Sequence, residues 1–281
     1  EFKRTLEQIK KLGNERGKGQ TVLFGTDYAR TLAQTAAIPE AMKTSFDLSC
    51  IRRKNTEGYH YFISALTGKD TESWIPLAVP ARSAMLYNPM NGSSGKALLR
   101  QKDGKTEVYL QLASGESAIL KTFTEADVQV PEWKYQTVAQ GTVELSGLWS
   151  LRFVESAPAV HSVPDSVSLG SWTDLSFEGA GTTMGTGCYT TAFVIENPAS
   201  AQDWQLSLGD VRESARVRIN GREVATLWAV PYCCPIGQYL RPGKNILEIE
   251  VTNLPANRIA DMDRRGEVAY LQRYKYCGAW L

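Results

Sequence analysis

The segment Ala215–Asn253, ARVRINGREVATLWAVPYCCPIGQYLRPGKNILEIEVTN, constrains the fold more than any other. Apolar and polar residues alternate along it, so successive side chains fall on opposite faces of an extended chain. Asn220-Gly221 supplies two residues that accept positive φ, as a tight hairpin between right-twisted strands requires. Arg-Pro-Gly-Lys-Asn then turns the chain back, and Leu247, Ile249 and Val251 alternate into a core. This is antiparallel β-structure with no nucleophile, metal cluster or phosphate loop.

The same period recurs elsewhere. DLSCIRRKNTEGYHYFISAL predicts a hairpin: Cys50 and Ile51 on its first strand, Asn55–Gly58 as the turn, and Tyr59, Tyr61 and Ile63 on one face of the second. Further strands break at Asn91-Gly92 and Asp103-Gly104. Val108, Leu110 and Leu112 point one way, Tyr109 and Gln111 the other. This small antiparallel domain ends near Phe123, and TEADVQVPEWKY follows as a linker. Beyond it LSGLWSLRFV, GCYTTAFVI, DWQLSLGDV, SARVRING, EVATLWAV and NILEIEVTN form a second all-β block, its turn signals spaced as a sandwich or jelly roll demands.

The first 44 residues differ. Phe2, Leu6, Ile9 and Leu12 fall on one helical face with Gly13 as a stop, Thr21–Gly25 is a short buried strand, and Thr26 or Asp27 caps a second helix. One strand cannot satisfy its own edges, so this slice docks on later sequence or belongs to a sheet upstream. The expected architecture is mainly β: an α/β segment over 1–44, a small antiparallel β-domain over 45–125, and a β-sandwich or jelly roll, like galactose-binding domains, over 126–281.

Composition excludes several functions. Hydrophobic residues make up 43% and charged residues 22% of the 281 residues, and the net charge is +1. That is globular composition without a field that gathers nucleic acid or anionic membrane. No apolar run approaches the roughly 20 residues of a membrane helix. The opening EFKRTLEQIKKLG has neither initiator Met nor signal peptide, as in a processed protein or a piece of a longer one. Five cysteines (50, 188, 233, 234 and 277) include no C-x-x-C spacing, so Cys188 and the Cys233–Cys234 pair are expected as buried thiols. His60 alternates within a strand and His161 lies in a Pro-rich loop, neither with a ligand partner. No cofactor is implied, and a structural Ca²⁺ at oxygen-rich loops is the one metal the sequence leaves room for.

The stretch Cys188–Asn253 resembles the jelly-roll sugar-binding domain of family 2 β-glycosidases, through Val217-Arg218-Ile219-Asn220-Gly221 and Leu240–Val251. A closer resemblance is to α-L-rhamnosidases of glycoside hydrolase family 106. GKGQTVLFGTDYARTL, IRRKNTEGYHYFISAL, SAMLYNPMNGSSGKA, VYLQLASGESAILKTF and LSGLWSLRF follow their order. TNLPANRIADMD is similar to their N-x-x-x-N-R-x-x-D element, here Asn253, Asn257, Arg258 and Asp261, with Pro255 inside it. In those enzymes a catalytic barrel precedes β-domains of this kind, and no barrel is in this sequence. The resemblance implies a non-catalytic part of a glycoside hydrolase, secreted or periplasmic, that binds carbohydrate beside an upstream catalytic domain. The alternatives are a stand-alone carbohydrate-binding protein and a structural spacer or protein-interaction domain.

Hydrolysis needs two carboxylates about 5–9.5 Å apart across the scissile bond. Asp174, Glu196, Asp210, Glu213, Asp261 and Asp263 sit in loops, and nothing in the sequence pairs any two of them, so no catalytic residue is assigned. Sugars stack their C–H faces on aromatic rings and bond through their hydroxyls. Trp149 and Trp204 fall in strand patterns and read as core, and Trp74 as structural. Trp172, Trp228 and Tyr232 lie nearer loops, where packing and stacking are both open. The tentative carbohydrate contacts are Trp228, Tyr232, Asn257, Arg258, Asp261 and Asp263. The plain alternative for NLPANRIADMD is an Arg258–Asp261 pair bracing a loop. GAGTTMGTGCY (Gly179–Tyr189) opens a strand rather than a helix, so it reads as a flexible loop and not a phosphate cradle.

Overall fold

The computed structural model describes residues 3–5, 7–8, 30, 32, 38–136 and 141–267. The expected strand at Thr21–Gly25, the cap at Thr26 or Asp27, and Cys277 lie outside the described residues. The chain divides into two compact units, Glu1–Leu112 with Ser117–Lys134, and Ala113–Glu116 with Tyr135–Leu281. Among the described residues no helix is long and apolar enough to cross a membrane.

In the first unit a short helix α1 (Ala41–Ser45) precedes eight strands: β1 (Ser49–Lys54), β2 (Gly58–Ser64), β3 (Thr71–Pro76), β4 (Ser83–Tyr87), β5 (Ser94–Lys96), β6 (Leu99–Lys102), β7 (Lys105–Leu112) and β8 (Ser117–Phe123). They form a five-stranded sheet, β1-β2-β8-β4-β5, and a three-stranded sheet, β3-β7-β6, with every strand pair antiparallel. The expected alternation holds. Tyr61 and Ile63 on β2 are buried, as are Ala118 and Leu120 on β8, and Val108, Leu110 and Leu112 on β7. Each fully buried aliphatic side chain contributes roughly 1.5–3 kcal/mol. Hairpin chemistry sets the register. Asn55 Oδ1 accepts the backbone amides of Glu57 (2.8 Å) and Gly58 (2.7 Å), and Asp103 (φ 50°) with Gly104 (φ 72°) closes β6 onto β7.

The segment expected to be a linker is docked instead. Residues 131–133 run parallel to β5: Lys96 N donates to Pro131 O (2.8 Å) and Trp133 N to Lys96 O (2.9 Å). Ser83 Oγ donates to Ala126 O (2.8 Å) and accepts from Val128 N (3.1 Å). Only glycine at 95 admits this approach, because a Cβ there would stand 2.6 Å from the Trp133 backbone.

The second unit contains β9 (Ser150–Ala157), β10 (Met184–Ile195), β11 (Gln205–Ser207), β12 (Ser214–Ile219), β13 (Arg222–Leu227), β14 (Cys233–Pro235) and β15 (Gly243–Thr252), then helix α2 (Ala256–Arg264). Its five-stranded antiparallel sheet has the order β13-β12-β15-β10-β9, and β11 pairs with β14. The inner face (Leu151, Tyr189, Val217, Ile219, Leu247, Ile249) packs in one core with Trp149, Val167, Trp172, Leu206, Tyr232 and Cys234. This is an antiparallel β-sandwich. The six strands expected here are present.

Asn220 (φ 53°) and Gly221 (φ 77°) turn β12 into β13 as expected. The following motif is tied to that turn. Asn245 is fully buried; its Nδ2 donates to Arg241 O (2.8 Å) and Gly243 O (3.0 Å), and its Oδ1 accepts from Arg241 N (3.0 Å) and Asn220 Nδ2 (2.8 Å). Asn220 Oδ1 accepts Ile246 N (3.1 Å) in turn. Two asparagines thus cross-brace the far end of the sheet.

The thiols follow strand alternation rather than one common fate. Cys188 and Cys234 are buried, while Cys50 and Cys233 are half-buried, which corrects the expectation for Cys233. Neighbours in a strand face opposite ways, so only Cys234 enters the core, and desolvation lifts its pKa to about 11. A thiol so raised stays protonated, hence unreactive, until the pH nears that value. Alkylation at neutral pH followed by peptide mass spectrometry is expected to modify Cys50 and Cys233 well before Cys188 and Cys234. Prompt native labelling of Cys234 would contradict this burial.

Candidate carbohydrate-contact end of the second unit

Strand register gathers several loops at one end of the five-stranded sheet. Ser214 pairs with Thr252, Thr252 with Thr186, Thr186 with Glu155, and Ala215 with Leu227. The chain therefore leaves β13, β15 and β9 and enters β12 and β10 at the same edge. Trp228, Asn253 and Glu213 are the adjoining residues. Asn253 ties this end together. Its Oδ1 accepts Gly185 N (2.9 Å), its Nδ2 donates to Thr183 O (3.1 Å), and its own amide donates to Gly185 O (3.1 Å). Gly185 lies so close to β9 that a Cβ would meet Glu155 O at 2.0 Å. Beside Asn253 a cleft of ≈ 330 Å³ is lined by Glu155, Ser156, Ala157, Met184, Gly185 and Pro255. Sequence reasoning reached Asn253 and Pro255 but missed this cleft, because its other lining residues come from the ends of β9 and β10, which only the fold brings together.

The segment expected as a loop is helix α2, which packs on the short helix Ala180–Thr182 and on β10. Pro255 stands at the cap, where its missing N–H costs nothing, and Ile259 N donates to Pro255 O (2.9 Å). Arg258 Nη1 reaches Asp261 Oδ2 at 3.2 Å, and Arg265 Nε reaches the same oxygen at 3.0 Å. The bracing pair therefore exists, and Asp261 is committed to two guanidinium groups. Asp263 is exposed and Asn257 half-buried. GAGTT, expected as a flexible loop, is a short helix holding the fully buried Ala180.

Trp228 stands 62% exposed. Tyr232 does not share its position. It is 6% exposed and its hydroxyl donates to Glu213 O (2.8 Å), so it offers no ring face to a sugar; desolvation, then the nearby Glu213 and Asp210, raises its pKa. Trp172 is core too. Its Nε1 donates to Tyr189 Oη (2.8 Å) and its ring meets Phe153 edge-on at 4.9 Å. Trp149 is buried, and Trp204 is half-buried with Nε1 donating to Pro198 O (2.8 Å). In the first unit Trp74 packs between Tyr109 (5.2 Å) and the Arg100 guanidinium (4.4 Å), a structural placement.

The candidate carboxylates occupy several places, with Asp210 and Glu213 both near Tyr232. Glu196 follows the 12-residue β10, so it lies roughly 35 Å from Gly185 at the opposite end. Asp210 is gripped by Arg212 through two 2.8 Å bonds, and this hydrogen bonding holds its carboxyl below the usual range. Asp174 accepts from Thr173 Oγ1 at 3.4 Å. Among the described residues no group of three or more His, Cys, Asp or Glu is arranged to hold a metal ion.

The antiparallel β-fold of this chain is similar to part of a larger solved structure. The structure of a rhamnosidase from Novosphingobium sp. PP1Y is similar over 88% of this chain and 24% of its own, with TM-score 0.63 and 24% identity. A putative β-glucuronidase of Formosa agariphila is 31% identical over 133 residues, 44% of this chain and 11% of that protein. An FMN-binding β-glucuronidase from Facaelibacterium prausnitzii L2-6 matches 38% of this chain and 17% of its own, at 26% identity and TM-score 0.31. No protein-family model matches. The chain thus spans a quarter or less of the length of these relatives.

Proposed function

We propose that this chain is a non-catalytic part of a glycoside hydrolase resembling α-L-rhamnosidases, working in an exported or periplasmic enzyme. It binds or positions carbohydrate beside a catalytic domain of the same polypeptide. The observation that carries this reading is the exposed Trp228 ring at the sheet end that also carries Asn253 and α2. Trp228 supplies an apolar stacking face, and Asn257 and Asp263 supply donors and acceptors for hydroxyls. Arg258 and Asp261 chiefly hold α2 in shape, since their charges satisfy each other.

Two measurements test this. Screening the chain against neutral and acidic plant and algal oligosaccharides is expected to give a ligand whose affinity falls about tenfold in Trp228→Ala, the scale of one lost stacking contact. An unchanged affinity would remove Trp228 from the site, and no binding at all would favour a spacer. Aryl α-L-rhamnosides and aryl β-glucuronides are expected to stay intact with the chain. Robust turnover abolished by replacing one carboxylate would overturn the non-catalytic reading.

A further inference from the structure

Asn-Gly occurs twice in the chain, at 91–92 and 220–221. Glycine has no Cβ to shield its amide nitrogen, so that nitrogen can attack the carboxamide of the asparagine before it. The two pairs share this chemistry, but the fold treats them differently. Asn220 is held at both ends of its carboxamide. Its Nδ2 donates to Tyr239 O (3.1 Å) and Asn245 Oδ1 (2.8 Å), and its Oδ1 accepts Ile246 N (3.1 Å). It is also half-buried. Asn91, in the turn between β4 and β5, is exposed, as is Gly92. Its side chain accepts Ser93 N at Oδ1 (2.9 Å). That bond draws electron density from the carboxamide carbon and leaves Nδ2 unrestrained.

We propose that Asn91 is a self-modification site, converting to aspartate and isoaspartate in the folded protein while Asn220 is protected. The Gly92 nitrogen gives its proton to solvent and bonds to Asn91 Cγ. The Cγ–Nδ2 bond breaks, the side-chain nitrogen leaves as ammonia, and a succinimide ring remains. Water then opens the ring. Addition at Cγ yields aspartate, and addition at the backbone carbonyl of residue 91 yields isoaspartate; nothing is oxidised or reduced. One tie opposes the attack: Gly92 N donates to Asn88 O (2.9 Å). It lies in an exposed turn, where local opening costs little. Nothing stands within 4 Å of where a Cβ on Gly92 would sit, so no neighbour resists the rearrangement. At Asn220 the same motion would strip both acceptors from the departing nitrogen and break the brace to Asn245. The product carries a new carboxylate, which takes the chain's formal net charge from +1 to 0. Isoaspartate also lengthens the backbone by one methylene, so the turn no longer fits its bonds to Asn88 and Ser93.

The test incubates the native chain beside a urea-unfolded sample in mildly alkaline buffer, for as long as the unfolded sample needs to convert. Peptide mass spectrometry follows each Asn-Gly pair. Unfolding removes the structural difference, so both pairs are expected to convert together there. In the native chain Asn91 is expected to convert at least about tenfold faster than Asn220, which must first give up its buried-side hydrogen bonds. Part of the Asn91 product should be isoaspartate. Asn91→Gln, an exposed change, is expected to remove the earliest acidic species seen by isoelectric focusing. Equal native rates at the two pairs, faster conversion at Asn220, or an intact native Asn91 when the unfolded chain has converted would overturn the proposal. Persistence of the early acidic species in Asn91→Gln would do the same.

Discussion

Asn245→Ala is expected to cost the second unit about 2–4 kcal/mol, since it strips partners from three backbone groups and from Asn220 at a site closed to water. No small residue replaces them, because the amide both donates and accepts here. Hydrogen exchange at Val217, Ile219, Leu247 and Ile249 is the readout, since these central amides open only when the sheet opens. Asn220→Ala is expected to cost less, because the turn keeps Gly221. The double variant should cost less than the sum, as both remove the same bond. Strict additivity, or unchanged exchange in Asn245→Ala, would mean that the two asparagines do not act as one brace.

Gly185→Ala is expected to be comparably damaging for a different reason. Its Cβ would press on the Glu155 carbonyl at 2.0 Å, and backbone cannot rotate aside as a side chain can. Overpacking of this kind costs about 1–3 kcal/mol or more. Relief requires the end of β9 to part from β10, which also strains the Asn253 bonds to Gly185. The loss should therefore appear locally: faster exchange at Glu155–Ala157, and a binding defect in any ligand of that sheet end. The far brace at Asn220 and Asn245 should keep its protection. If melting and exchange were unchanged, the close approach of Gly185 to β9 would be refuted.

The strands and their inward faces were legible because alternation is local, and burial confirms it residue by residue at Tyr61, Val108, Val217 and Leu247. The turns at Asp103-Gly104 and Asn220-Gly221 were legible because positive φ selects few residues. Helix α2 was not, since ANRIADMDR is short and mostly polar, its apolar face is limited to Ile259 and Met262 with two alanines, and no side chain caps its start; packing on β10 and Ala180–Thr182 holds it. Trp172, Trp228 and Tyr232 looked alike in sequence. Their separation into core and surface is a tertiary outcome, fixed by what lies across the sheet. The cleft beside Asn253 left no composition signal at all.

The docking of residues 131–133 along β5 bears on how the chain can be divided. A cut at the composition boundary near residue 125 would remove the parallel partner of β5 and bare the amide of Lys96 together with its carbonyl. An open strand edge recruits other chains by the same hydrogen bonds it has lost. The shortened piece would keep its core yet tend to self-associate, whereas one carried through Lys134 would retain a closed edge.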